Sequence, residues 1–63
     1  MEIGDNVRLN RNIKEFDGQR LVKFFEEGDI GVVTRVIGES IEIDMPNYDD
    51  KKFWFNTEDW DLI

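Results

Sequence analysis

Gly28-Asp29-Ile30-Gly31-Val32-Val33-Thr34-Arg35-Val36-Ile37-Gly38-Glu39-Ser40-Ile41-Glu42-Ile43-Asp44-Met45 is the stretch that decides the fold. Ile30 to Ile37 is dense in β-branched residues, which favour strand. Gly31, set inside that run, predicts a bulge or a close backbone approach. Gly38-Glu39 is the two-residue loop expected of a type II′ hairpin. Ser40 to Met45 then alternates with period two. Ile41, Ile43 and Met45 share the face expected in the core, and Glu42 and Asp44 share the face expected in water. Two strands joined by a tight turn, with an acidic-glycine bend at the entry, predict a small, strongly bent β structure.

Working outward, the same Gly-Asp dipeptide opens the chain, in Gly4-Asp5-Asn6-Val7-Arg8-Leu9. Glu2 to Asn10 reads as a first strand, with Arg8 opposite Val7 and Leu9. Residues 10–27 do not alternate cleanly. Asn10-Arg11-Asn12 is turn-prone, Asp17-Gly18 is a turn signal, and Leu21, Phe24 and Phe25 have the spacing of one helical turn, with extended structure in which Leu21 and Lys23 flank Val22 as the alternative. This stretch is read as a long, partly packed loop. Downstream, Pro46 ends the second strand of the hairpin and starts a turn through Asn47-Tyr48-Asp49-Asp50. Lys51 to Phe55 is a fourth strand, in which Phe53 and Phe55 share one face and Trp54 takes the other. Asn56 or Thr57 caps a single tight turn over Glu58-Asp59, and Trp60 to Ile63 closes the chain as a fifth strand.

The 63 residues make one domain, 1–63. A chain this short buries only about 60% of its unfolded surface and needs reinforcement. There is no cysteine and no histidine, which excludes disulfides, thiolate metal sites and imidazole chemistry. Eight aromatic residues remain for that purpose: Phe16, Phe24, Phe25, Tyr48, Phe53, Trp54, Phe55 and Trp60. Catalysis has little support. The single serine, Ser40, sits in a hairpin with no base to activate it, and no carboxylate pair stands where burial raises its pKa. The acidic run from Asp44 to Asp50 lacks the regular oxygen spacing of a calcium loop. No catalytic residue, cofactor or metal site is expected. No apolar stretch reaches the roughly 20 residues that cross a bilayer. The start is polar and acidic, and cysteine is absent, so a cytoplasmic location is expected.

Five short strands, a long loop after the first, a tight hairpin and a one-turn helix before the last strand resemble the Src-homology-3-like small barrels. The residues that carry the likeness are Gly4-Asp5-x-Val7-Arg8, Gly28-Asp29-x-Gly31-x-Val33-x-x-Val36 and Asp59-Trp60-x-Leu62-Ile63. The central block looks like the KOW motif of ribosomal and transcription-factor barrels. The whole order is also similar to accessory barrels such as the variable subunit of ferredoxin–thioredoxin reductase. The resemblance implies an all-β, five-stranded barrel without a cofactor of its own. Because this fold hosts many functions, the function must be argued from a site.

The charge distribution frames that argument. Eight basic and fifteen acidic residues give a net of −7. The excess is uneven: residues 1–24 carry a net of +1 and residues 25–63 a net of −8. Such a field disfavours phosphate neutralisation and favours basic partners. The expected function is therefore a non-enzymatic protein-interaction module or accessory subunit, docked on a larger protein through an acidic, aromatic-bearing surface. Its expected partner-binding residues are Tyr48, Asp49, Asp50, Trp54, Glu58 and Asp59. The acids among them, with Asp61, are expected to form one negative end. An alternative is a KOW-like nucleic-acid binder that uses Arg11, Lys14, Arg20 and Lys23, interleaved with Phe16 or Phe24. An acidic inhibitor that mimics nucleic acid is a further alternative.

Overall fold

The computed structural model describes residues 1–49 and 51–63; Asp50 lies outside the described residues. The strands are β1 (Asn6–Leu9), β2 (Ile13–Asp17), β3 (Arg20–Phe25), β4 (Ile30–Ile37), β5 (Ser40–Asp44), β6 (Lys52–Asn56) and β7 (Trp60–Leu62). One turn of 3-10 helix, Thr57–Asp59, precedes β7. The chain is all-β, as the patterning predicts.

The two Gly-Asp dipeptides are the framework. Each ends a four-residue turn, Glu2–Asp5 and Glu26–Asp29, closed by a backbone bond from the aspartate N–H to the glutamate carbonyl at 3.1 and 3.0 Å. Gly4 and Gly28 hold φ of +95° and +97° at the third position, where a type II turn needs glycine. Each aspartate carboxylate then accepts the N–H of the turn's first residue, at 2.7 Å from Glu2 and 3.0 Å from Glu26. The turns flank the antiparallel β1–β4 pair symmetrically. Gly4 donates to Val33 and Val33 to Asp5, while Gly28 donates to Leu9 and Leu9 to Asp29. The Val7–Gly31 register pair is the centre of this internal two-fold arrangement. Because residues 2–5 are used in the turn, β1 begins at Asn6 rather than at Glu2.

Around that pair the five strands expected from the sequence form one antiparallel sheet in the order β6-β5-β4-β1-β7. The Gly38-Glu39 loop joins β4 to β5 with Ile37 opposite Ser40. A register shift between Val33 and Arg35 bends β4. Gly31 sits where a Cβ would come within 2.3 Å of Ile43 Cγ2 and 2.9 Å of the Asp44 carbonyl oxygen, so a close approach is the reason for this glycine.

Residues 10–27 differ from the expected loop. Ile13–Asp17 and Arg20–Phe25 pair as an antiparallel hairpin around Gly18-Gln19, with a bulge between Glu15 and Phe16. The Asp17-Gly18 signal is a hairpin turn. The two strands show no alternating hydrophobicity because most of their residues face solvent on both sides. The hairpin is a separate two-stranded sheet, and the two sheets do not close into a barrel.

Val7, Leu9, Phe25, Val33, Ile41, Ile43, Met45, Phe55 and Trp60 form the buried core. Phe25, at the base of the hairpin, is its hub. Its ring lies 5.1 Å from Tyr48, 5.0 Å from Phe53 and 5.1 Å from Phe55, and Phe55 continues to Trp60 at 5.0 Å. The aromatic residues thus supply the reinforcement that a small core needs.

Candidate protein-docking surface

The hairpin is anchored at its base and open at its tip. Ile13 and Phe25 are register partners that turn toward the core. Asn12 accepts the Glu27 N–H at 2.8 Å on its side-chain oxygen. Beyond this base, Phe16 and Leu21 stand opposite each other, 58% and 49% exposed, with Val22 beside them at 49%. These three large apolar side chains lie together on the part of the hairpin that covers no core; others, such as Ile30, Ile37 and Leu62, are exposed on the sheet. Sequence reading missed Leu21 and Val22 because it took the segment for a loop. The pairing of Asp17-Gly18 with flanking apolar residues was the available signal.

Between the hairpin and the turn after β5 lies a groove of about 270 Å³. Val22, Lys23, Phe24 and Phe25 of β3 form one wall; Tyr48, Asp49 and Phe53 form the other. Tyr48 is held in place at both ends. Its N–H donates to Met45 at 3.1 Å. Its hydroxyl donates to the Asp29 carboxylate and lies 3.3 Å from the Phe24 carbonyl oxygen. Burial, the bond to Asp29, and the charges of Asp29 and Glu26 push the Tyr48 pKa up to about 12. The second Gly-Asp turn therefore also positions the groove, because the same Asp29 oxygen ties the turn and holds the tyrosine.

The expected partner-binding residues fall into three places. Tyr48 and the exposed Asp49 line the groove before β6, and Asp50 lies outside the described residues. Glu58 follows β6, exposed, beside Glu39, Asn56 and Thr57 around a polar hollow of about 220 Å³. Trp54 is 43% exposed on the outer face of the sheet, opposite Glu42, while Phe55 is buried and Phe53 half-buried on the inner face. β6 thus separates Asp49 from Glu58 and Asp59, so these acids do not form one end of the molecule. Asp59 is buried, and the Arg11 guanidinium grips its carboxylate at 2.7 and 3.2 Å. Asn10 donates to the Glu58 carbonyl at 2.9 Å and to Asp61 at 3.2 Å. Asp59 and Arg11 together fasten the segment after β1 to the 3-10 turn, and the carboxylate raises the Arg11 pKa further by its hydrogen bond and its charge.

Of the four basic residues, Arg11 is thus committed to Asp59. The Lys14 ammonium lies 5.6 Å from the Phe24 ring centroid, and the Lys23 ammonium 4.6 Å from that of Phe53. Arg20 is exposed at the hairpin tip opposite Asp17. The described residues contain no helix long and apolar enough to cross a membrane. Comparison with protein-family models, with curated proteins and with solved structures gives no match for this chain.

Proposed function

We propose that this chain is a non-enzymatic interaction module, free-standing or as an accessory subunit, that docks on a protein partner through the tip of the β2–β3 hairpin and the adjoining groove. The observation that carries the reading is the exposure of Phe16, Leu21 and Val22 on a projecting hairpin. Exposed apolar groups gathered on one segment mark interaction sites more often than scattered ones do. The net charge of −7 supports a partner with a basic surface, since complementary fields speed encounter. The strand order β6-β5-β4-β1-β7, with a hairpin between β1 and β4 and a 3-10 turn before β7, supports reading the architecture as a Src-homology-3-like plan left open at its edges. A nucleic-acid role draws less support. Arg11 is bound to a carboxylate and two lysines lie over rings, which leaves Arg20 as the remaining cation of that group.

The test is capture of partners by the wild-type chain and by a Phe16→Ser/Leu21→Ser variant, across a salt series. Proteins retained by the wild type, released by salt and not retained by the variant are the expected result. Equal retention by both chains contradicts the proposal. A salt-sensitive anisotropy change with RNA or DNA that Arg20→Ala abolishes would favour the nucleic-acid alternative.

A further inference from the structure

The groove beside the hairpin carries a more specific reading, which rests on the interaction role proposed above. Its lining is largely aromatic, from Phe24, Phe25, Tyr48 and Phe53. Its charges are unbalanced. Asp49 lines it, Asp29 is bonded to the Tyr48 hydroxyl, and Glu26 acts on the same hydroxyl, whereas Lys23 is the one cation in its walls. Among the described residues Lys23 is paired with no carboxylate, and the sole ion pair there is Arg11–Asp59. Its ammonium rests instead over the Phe53 ring, 4.6 Å from the centroid. A cation over an aromatic face gains from the ring quadrupole, and more so when carboxylates lie nearby and water is partly excluded. The protein itself therefore displays the chemistry this groove accepts.

We propose that the groove receives a basic side chain of the partner, an arginine or lysine on an extended segment, and that Lys23 holds its place over Phe53 until the partner displaces it. Arginine suits the site better than lysine. Its planar guanidinium stacks on a ring while donating to a carboxylate at the edge. Phe53 and the exposed Asp49 both line the groove and supply one group of each kind. The apolar hairpin tip supplies area to the complex, and the groove supplies selection for charge.

The experiment is an NMR titration of the full chain at low salt with a five-residue peptide alternating leucine and arginine. The control peptide carries citrulline, which keeps the shape and removes the charge. Shifts at Lys23, Tyr48, Asp49 and Phe53 are expected with the arginine peptide, and binding roughly tenfold weaker with citrulline. Asp49→Asn and Phe53→Leu are expected to weaken the arginine peptide. Lys23→Ala is expected to tighten it, and more than Arg20→Ala, which changes the net charge equally but lies at the hairpin tip. Equal binding of the two peptides, or equal effects of Lys23→Ala and Arg20→Ala, overturns the inference. Those results leave the hairpin-dependent capture test standing, so failure here and failure of the docking role are separable.

Discussion

The inner face of the five-stranded sheet and the β2–β3 hairpin use apolar residues in opposite ways. In the sheet, Val7, Leu9, Val33, Ile41 and Ile43 are buried to 1% exposure or less. In the hairpin, Phe16, Leu21 and Val22 are about half exposed, and Phe25 alone reaches full burial. Both regions are antiparallel β structure with a two-residue glycine-led turn, so backbone geometry does not distinguish them. The difference is what each side chain meets. Core formation accounts for the inner face of the sheet, while Ile30, Ile37 and Leu62 elsewhere on it are as exposed as the hairpin tip, for which nothing in the core accounts. That contrast separates residues buried in the core from residues left in solvent.

The contrast breaks most severely at Phe25, where the two regions join. Phe25→Ala removes the ring that contacts Tyr48, Phe53 and Phe55 and is expected to cost about 3–5 kcal/mol. A domain of this size is marginally stable, so far-ultraviolet circular dichroism should show a largely unfolded chain. Gly31→Ala comes next. The added methyl group would meet Ile43 and the Asp44 carbonyl oxygen at the centre of the β1–β4 frame, at a cost of about 1–3 kcal/mol in urea denaturation. Tyr48 gives a smaller, pH-specific effect. Its pKa is raised from 10.0 to about 12 in the folded chain, so the native state favours the neutral phenol. That contribution is complete below pH 10 and is lost as the pH rises through 12. Wild-type stability should fall across this window, and Tyr48→Phe should flatten that fall. The smallest effect is expected at the hairpin tip, where Phe16→Ser/Leu21→Ser should change stability by less than about 0.5 kcal/mol. A large loss there would mean that the tip serves folding.

Legibility in the sequence followed the same division. The sheet strands could be read because one face is buried, and burial imposes period two on Ile41, Ile43 and Met45 and on Phe53 and Phe55. Gly31 could be read as a bulge or a close approach because a lone glycine in a β-branched run has few other uses, and the fold decides for the close approach. The hairpin was hidden because solvent surrounds most of it, so no period constrains its residues. Site residues were legible as types and not as places. Tyr48, Asp49 and Trp54 do face open space or a groove. Asp59 and Arg11, assigned by charge to two different surfaces, meet each other across 48 residues of sequence. Charge counts give the sign of a field, but pairing depends on contacts that only the fold creates. The groove arises in the same way, from β3, β6 and the turn before β6.

Amide hydrogen exchange on the intact chain tests the division most directly. The account predicts that the amides of Val7, Val33, Ile41 and Ile43 exchange only through global unfolding, while those around Phe16, Leu21 and Val22 exchange through local openings of much lower free energy. Uniform protection across the sheet and the hairpin tip would contradict it, because the tip would then be part of the cooperative fold rather than a surface held out for a partner.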